Sequence, residues 1–339
     1  MGQRMTSVAG RSLITGINGY DARRQLNPEE LKTFLRPLYE SILREIGYVA
    51  AVSLDTSSVA KLHTVMQQQA DATGLDYINN PISSEGFTLG LSLACLCYYG
   101  HPIEIQAYIG IYTWLAVLID DRIGEFRAEV EGYQRRFFAG EEQPTPLLRA
   151  TAALMKETWD YWDPILANMI VTSTLDCVSS NLLDTRPEFQ DMVVTKAGVS
   201  FPYFFRNMSG LTIAYACFSY PKTMYPELGL FLEALPDMAI YVNIVNDVLS
   251  FYKEEAVGET HNYIHNRAKC EQKDPLVVLD KVSVETLACV RRIRFILKGR
   301  PHYLESWERQ VMGMIAMHKV NPRYRLSDLG LGEEHPIKE

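Results

Sequence analysis

The fold is decided by one stretch, IEIQAYIGIYTWLAVLIDD, which occupies residues 103–121. Apart from Glu104 and Gln106, residues 103–119 are mostly apolar on every side of a helix. A helix that is apolar all round is buried in the interior of a large protein. Residues 87–99 have the same character, so we expect two central helices of a large bundle.

Apolar residues also recur at helical spacing along most of the rest of the chain. In residues 28–45 they fall on one face, and Asn27 and Pro28 form a helix start signal. The sequence has no sustained alternation of apolar and polar residues, which is the pattern of strands. Further helices are predicted at residues 59–69, 147–162, 165–183, 203–216, 228–252, 275–297 and 302–318. We therefore predict an all-α fold.

No segment rich in proline, glycine and serine divides the chain, although a prior of about 150 residues per domain suggests two domains. We predict one helical domain over residues 27–326, with a flexible N-terminal segment at residues 1–26 and a tail at residues 327–339. Residues 256–274 are polar and poorly periodic, which predicts a mobile connection of the kind that often carries function.

The composition excludes several classes of protein. Among 339 residues 47% are hydrophobic, which is too many for a disordered chain, and the net charge of −8 gives no basic field for nucleic acid. Residues 1–12 lack the apolar core of a secretory signal, and residues 87–100 are too short to span a bilayer. The six dispersed cysteines are typical of reduced, buried thiols. We expect a soluble cytoplasmic protein without stable membrane insertion.

Two adjacent carboxylates, Asp120 and Asp121, end the apolar stretch. On a helix Asp120 shares a face with Tyr112 and Ala116, whereas Asp121 points elsewhere. A charge on a buried face is costly unless it is paired or coordinates a cation. The pair therefore indicates either a metal site or a helix end at which both acids are solvated.

A second group of polar side chains lies at residues 246–254. Asn246, Ser250 and Glu254 are spaced four residues apart, which confines them to an arc of roughly 80° over a rise of about 12 Å. Three oxygen donors on one helix face suit Mg²⁺. The alternative, a polar stripe that faces solvent, fits poorly because apolar residues flank all three. Lys253 adjoins Glu254 and is placed to meet an anion bound to such a metal.

Together the two motifs resemble the aspartate-rich motif and the asparagine–serine–glutamate motif of class I terpene cyclases. The segment NDVLSFYKE at residues 246–254 is most similar to the trichodiene synthase-like family of fungal sesquiterpene cyclases. This resemblance covers residues 87–326 and implies a single helical bundle around a central active-site cavity. In the first motif Gly124 stands where the family has an acid, and Glu125 follows one residue later.

The resemblance also implies the roles of individual residues. Asp120 holds two Mg²⁺ ions, the triplet of Asn246, Ser250 and Glu254 holds a third, and Asp121 and Glu125 are further candidate ligands. Ser209 and Gly210 fall at the family's linker and effector positions, beside a helix break. The residues that the resemblance assigns to pyrophosphate binding are Arg206, Lys253, Arg323 and Tyr324.

By the same resemblance the substrate is a prenyl diphosphate, in the first place farnesyl diphosphate. Loss of pyrophosphate leaves an allylic cation, which needs an inert wall, and aromatic faces attract a cation by about 0.5–2 kcal/mol. Candidates for this wall are Tyr112, Trp114, Phe204, Phe205 and Tyr215. Core packing is the favoured interpretation for Trp114, whereas Tyr112 shares the face of Asp120.

Three other properties stay open at this stage. The chain could be a chain-elongating prenyltransferase of the same architecture, although this needs a second aspartate-rich motif where residues 246–254 stand. It could also be a non-catalytic helical protein that binds isoprenoids. The resemblance further implies a possible homodimer, for which the sequence indicates no surface.

Overall fold

A computed structural model describes residues 27–334, which form fifteen α-helices numbered α1 to α15, and contain no β-strand. The predicted N-terminal segment lies outside the described residues, as do residues 335–339 of the tail. The helices are α1 Pro28–Ile46, α2 Thr56–Thr73, α3 Pro81–Cys97, α4 Ile103–Arg122, α5 Arg127–Glu131, α6 Tyr133–Ala139, α7 Pro146–Tyr161, α8 Pro164–Asp184, α9 Pro187–Gln190, α10 Phe201–Ser209, α11 Thr212–Phe218, α12 Leu235–Val257, α13 Tyr263–Glu271, α14 Pro275–Ile296 and α15 Pro301–Val320. The all-α prediction is confirmed.

The two helices predicted to be central, α3 and α4, pack closely against each other. A Cβ atom on Gly90 would lie 2.2 Å from the carbonyl oxygen of Gly110, so only glycine permits this separation of the two backbones. α15 approaches α3 in the same way, because a Cβ on Gly313 would lie 2.3 Å from the carbonyl oxygen of Leu96. These glycines therefore allow α3, α4 and α15 to pack with their backbones in close contact.

Helix α12 packs against α1, α11, α14 and α15. Helix α4 packs against α2, α3, α7 and α8. The space between α4 and α12 is closed by α8, the α10–α11 pair and α15, and the pocket described below lies there. One apolar core extends from Leu31 to Leu329, so the packed part of the chain continues past residue 326.

One stretch among residues 27–334, Ile103–Glu125, is long and apolar enough to cross a membrane by length and composition. Its most apolar window is 67% buried inside the protein, which is typical of a core helix. This burial agrees with the central position predicted for α4.

Residues 256–274 are more ordered than the polar sequence suggests. They contain α13, whose first turn is capped by Asn262, since the side-chain oxygen of Asn262 accepts a 2.9 Å hydrogen bond from the backbone N–H of His265. Ile264, in the first turn of α13, is fully buried. Tyr263, Ala268 and Cys270 are buried as well, so the expected irregular connection is in part a docked helix.

Candidate active site

A two-part pocket opens between α4 and α12. Its inner part has a volume of about 850 Å³, counted to its open side, and is mostly apolar. Its outer part, the mouth, has a volume of about 1240 Å³ and is rich in charged side chains. Seven residues line both parts, and they include Asp120, Arg206, Asn246 and Tyr324. A ligand that fills this pocket would have one charged end and one apolar end.

On the α4 side, Asp120 and Asp121 stand at the mouth, and Asp120 also borders the inner part. Asp120 is open to the pocket, yet the surrounding protein excludes enough water to raise the pKa of its carboxyl. The neighbouring charge of Asp121 raises this pKa further, whereas Arg323, Lys253 and Arg206 lower it. Asp120 therefore lies within electrostatic reach of all three cations.

On the α12 side, the three predicted donors are near one another as their spacing requires. Ser250 Oγ donates a 2.5 Å hydrogen bond to Glu254 Oε1, and Asn262 Nδ2 donates one of 2.9 Å to Glu254 Oε2. Asn246 and Glu254 line the mouth, whereas Ser250 is buried behind Glu254. Glu254 thus reaches back along its helix toward Ser250, as the lean of helical side chains predicts.

Arg206, on α10, reaches across to α12 with three hydrogen bonds. Its Nε donates to Asp247 Oδ1 at 2.7 Å, and its Nη2 donates to Asn243 O at 3.3 Å and to Asn246 Oδ1 at 3.2 Å. The guanidinium is therefore held at the boundary between the inner pocket and the mouth. The structure places Arg206 at the pocket beside Asn246, and its role in binding pyrophosphate stays a prediction.

Helix α10 ends at Ser209 and α11 begins at Thr212, which is the predicted helix break. Leu211 adopts a left-handed backbone conformation there, with φ of 53°. Gly210 lines the inner pocket, and a Cβ at this position would lie 2.1 Å from Asn243 Oδ1. The break leaves no room for a side chain at Gly210 and turns Ser209 and Leu211 toward the pocket.

Lys253, Arg323 and Tyr324 complete the mouth. Lys253 Nζ lies 5.9 Å from the ring centroid of Tyr324, and Arg323 Nη2 lies 3.5 Å from Asp121 Oδ1. Burial raises the pKa of Tyr324 to about 12, so its hydroxyl stays protonated and can donate a hydrogen bond. Three cationic side chains and one hydroxyl donor, from three elements, therefore surround the same opening.

Two buried residues of the site escaped the sequence reasoning. Asp247 is the ion-pair partner of Arg206, and burial raises its pKa to about 7 against the opposing effect of Arg206. His318 is fully buried, and burial lowers its pKa to about 4. Its ring lies 4.1 Å from that of Tyr324, and its Nε2 contacts Asn246 Nδ2 at 3.1 Å. The only signal for Asp247 was its position next to Asn246, and His318 had none.

The mouth holds more acidic groups than the prediction named. Asp184 on α8 and Glu259 after α12 also line it. Burial raises the pKa of Asp184 to about 6, and the charge of Asp120 contributes to this shift. Burial raises the pKa of Glu259, and the charge of Glu254 raises it further. Carboxylates that raise one another's pKa in this way are an environment that a divalent cation would relieve.

The residues present therefore fit a hard cation by their chemistry. Asp120 faces the mouth from α4, and the oxygens of Asn246 and Glu254 face it from α12. Within residues 27–334 no three His, Cys, Asp or Glu side chains are arranged to hold an ion by themselves. A cation here would need the amide and hydroxyl oxygens of α12 and further oxygens from a ligand, which is typical of Mg²⁺.

The structure does not bring Glu125 to the pocket. Glu125 lies in a short helical turn after α4, where its Oε2 accepts hydrogen bonds from Arg122 Nη2 at 2.6 Å and Arg122 Nε at 3.0 Å. It borders neither part of the pocket. The candidate ligand role of Glu125 is not supported by this placement, because its carboxylate is already paired on the exterior.

The five aromatic candidates lie in different places. Tyr215 lines the inner pocket, and Phe205 lines the mouth. Tyr112 borders neither part of the pocket, contrary to the prediction. It borders a small apolar cavity of about 350 Å³, and its hydroxyl contacts Thr174 Oγ1 at 2.7 Å. Trp114 is buried in the core, where its Nε1 donates to Ser83 Oγ.

The fifth candidate, Phe204, is 63% exposed on the outer side of α10 and borders neither part of the pocket. The prediction for Phe204 is therefore corrected. Successive residues on a helix differ by about 100° in direction, so Phe204 and Phe205 cannot both face the pocket.

Known proteins are similar to this chain in sequence and in fold. Residues 88–334 match the family model described as Trichodiene synthase (TRI5). Longiborneol synthase CLM1 of Gibberella zeae is 36% identical over 309 residues, which cover 90% of each chain. Terpene synthase BipA of Cochliobolus sativus is 35% identical over 294 residues, which cover 86% of this chain and 89% of BipA. These matches confirm the predicted family resemblance.

A solved structure supports the fold alone. The linalool/nerolidol synthase from Streptomyces clavuligerus superposes with a TM-score of 0.60 at 12% sequence identity, over 79% of this chain and 97% of that one. At such low identity the match shows a shared helical architecture and no more.

Proposed function

The chain belongs to the trichodiene synthase family of terpene synthases, and we propose that it is a Mg²⁺-dependent sesquiterpene cyclase. It would ionise farnesyl diphosphate, cyclise the resulting carbocation to a terpene hydrocarbon or alcohol, and release pyrophosphate. The observation that carries this proposal is the division of the pocket into an apolar interior and a charged mouth, with Asp120 and Asn246 at the boundary.

The diphosphate end of the substrate suits the mouth. Arg206, Lys253 and Arg323 supply positive charge there, and Tyr324 supplies a hydroxyl donor. Hydrogen bonds from cationic donors to phosphate oxygens are about twice as strong as neutral ones. Because negative charge grows on the leaving pyrophosphate as the bond to carbon breaks, donors fixed around it favour that step over simple binding.

The cation sites would be held from two sides of the mouth. We propose that Asp120 binds from α4, that Asn246, Ser250 and Glu254 bind from α12, and that Asp121 is a further candidate. Three Mg²⁺ ions are expected from the family resemblance. When bound, the ions would neutralise the diphosphate and withdraw electron density from its departing oxygen. The chain's own contribution is to hold these oxygens at the opening of an apolar pocket.

The hydrocarbon end suits the inner pocket. Much of its wall is formed by apolar side chains, among them Leu89, Leu93, Val117, Ala116 and Val242. Such a wall excludes water from the carbocation and sets the shape in which the chain folds. Tyr215 presents an aromatic ring to the same space, where it can stabilise positive charge by about 0.5–2 kcal/mol.

Incubation of the purified protein with geranyl, farnesyl and geranylgeranyl diphosphate tests the proposal, in Mg²⁺ and in EDTA. We expect Mg²⁺-dependent pyrophosphate release, fastest with farnesyl diphosphate, and a cyclic C15 product in gas chromatography–mass spectrometry. Pyrophosphate release that persists in EDTA would contradict the metal assignment. A longer prenyl chain after addition of isopentenyl diphosphate would instead identify a prenyltransferase.

A further inference from the structure

His318, near the end of α15, lies in a chain of hydrogen bonds with a defined direction. Its Nδ1 contacts the backbone oxygen of Met314 at 2.6 Å, and its Nε2 contacts Asn246 Nδ2 at 3.1 Å. A carbonyl oxygen only accepts, so Nδ1 carries the proton. The other ring nitrogen is left with a lone pair, and it accepts the hydrogen bond from the amide of Asn246.

The oxygen of the Asn246 side-chain amide also has a partner that allows only one hydrogen-bond direction. Its Oδ1 accepts a hydrogen bond from Arg206 Nη2, and a guanidinium can only donate. If the amide were flipped, its NH₂ group would face the Arg206 donor and its oxygen would face the lone pair of His318. Both contacts would be repulsive, so the two neighbours select one orientation of Asn246.

The imidazole has no freedom to leave this arrangement. His318 is fully buried, and the ring of Tyr324 packs against it at a centroid distance of 4.1 Å. Met314, whose oxygen anchors Nδ1, is four residues earlier on the same helix and lines the inner pocket. The contacts that hold the imidazole against Asn246 therefore come from α15 itself and from Tyr324.

We propose that His318 is a positioning residue that acts through Asn246, holding the amide so that its oxygen is available at the pocket mouth. This inference rests on the proposed function, in which Asn246 is a cation ligand. The oxygen of an amide binds Mg²⁺, whereas its nitrogen does not. A group that orients a metal ligand through a hydrogen bond commonly changes metal affinity or activity by about 10–100-fold when it is removed.

Two amide substitutions separate the positioning role from simple packing. His318→Gln places its side-chain oxygen near the position of Nε2 and can still accept from Asn246. His318→Asn is shorter, so it can donate to Met314 but cannot reach Asn246. His318→Leu, which also lacks the acceptor, is a second variant for the same comparison.

The readout is calorimetric titration of Mg²⁺ into each folded variant in the presence of inorganic pyrophosphate, without turnover. We expect His318→Asn to weaken Mg²⁺ binding by about tenfold or more, and His318→Gln to bind close to wild type. His302→Leu is the matched control, since His302 is exposed and packs on Tyr225 away from the pocket. Thermal unfolding verifies that each variant is folded at the temperature of the titration.

A double variant distinguishes this inference from the proposed function. If His318 acts through Asn246, then adding His318→Asn to Asn246→Ala causes no further loss of Mg²⁺ binding. Unchanged Mg²⁺ binding in Asn246→Ala would overturn the proposed metal role itself. Weak binding in Asn246→Ala beside wild-type binding in His318→Asn would overturn only the positioning role, as would equal losses in the Gln and Asn variants.

Discussion

Arg206 Nε and Asp247 Oδ1 lie 2.7 Å apart, and this ion pair joins α10 to α12 at the boundary between the two parts of the pocket. Asp247 is buried, and its second oxygen, Oδ2, has no hydrogen-bond partner among the described residues. An ion pair in such a place contributes little net stability, because desolvation offsets its attraction. Its consequence is geometric, since it points the free edge of the Arg206 guanidinium toward the pocket.

Asp247→Asn is expected to lower kcat/KM for the diphosphate substrate by about tenfold. The amide keeps the shape and one acceptor, but the hydrogen bond to a charged partner is worth about 1–2 kcal/mol more than a neutral one. Steady-state kinetics with farnesyl diphosphate measures the change. Asp237→Asn is the control on the same helix, because Asp237 pairs with Arg292 outside the pocket and its loss should leave kcat/KM unchanged.

Some features of the site followed directly from the sequence. The spacing of Asn246, Ser250 and Glu254 is local to one helix, so helical geometry alone placed them together. The central position of α4 also followed, because a helix that is apolar all round has no surface for solvent. Four expectations stay predictions: the need for magnesium, the C15 substrate, the cytoplasmic location and the homodimer. Each depends on a ligand, a partner or a compartment outside this chain.

Other features depend on packing between distant segments. Asp247 meets Arg206 across 41 residues of sequence, and His318 meets Asn246 across 72. No local sequence pattern indicates these contacts, because they depend on how α10 and α15 pack against α12. The helix α13 was missed for a different reason. Its buried apolar residues, Tyr263, Ile264, Ala268 and Cys270, are few and are separated by polar and charged ones, so the sequence shows no clear apolar stripe.

Glu254→Ala is expected to lower the rate of pyrophosphate release by about 100-fold or more, because electrostatic stabilisation by a bound metal is worth several kcal/mol. A raised Mg²⁺ requirement should accompany the loss. Glu255→Ala is the matched control, since the neighbouring carboxylate pairs with His265 and does not line the pocket. Equal losses in both variants would indicate damage to α12 and not the loss of a ligand.

Ala116→Leu is expected to shift the preference from farnesyl toward geranyl diphosphate. Ala116 lines the inner pocket and the small apolar cavity behind it, so a larger side chain shortens the space for the hydrocarbon. The ratio of kcat/KM values for the two substrates measures the shift, and the product profile should change with it. Ala60→Leu, on the exposed side of α2, is the control that should leave both unchanged. An unaltered ratio in Ala116→Leu would mean that the hydrocarbon lies elsewhere.

Gly90→Ala is expected to lower the free energy of unfolding by about 1–3 kcal/mol, the usual cost of overpacking. The added methyl group would lie 2.2 Å from the carbonyl oxygen of Gly110, and a backbone atom cannot move aside as a flexible side chain can. Urea unfolding measures the change. Gly229→Ala is the control, because a Cβ there meets nothing within 4 Å.

The buried imidazole of His101 predicts a loss of stability at acidic pH. Burial lowers the pKa of His101 from 6.5 to about 4, and its Nε2 donates to the backbone oxygen of Phe218 at 2.9 Å. Between these two pH values the unfolded chain binds more protons than the folded one, so the free energy of unfolding falls as the pH is lowered. One such group contributes at most about 3 kcal/mol over this range.

His101→Gln keeps a donor for Phe218 and removes the titration. The variant should therefore lose less stability than wild type between about pH 7 and about pH 4, when both are unfolded in urea at a series of pH values. A slope remains in the variant, because burial lowers the pKa of His318 to about 4 as well. Parallel curves for the two proteins would contradict the prediction, because they would mean that folding does not change the pKa of His101.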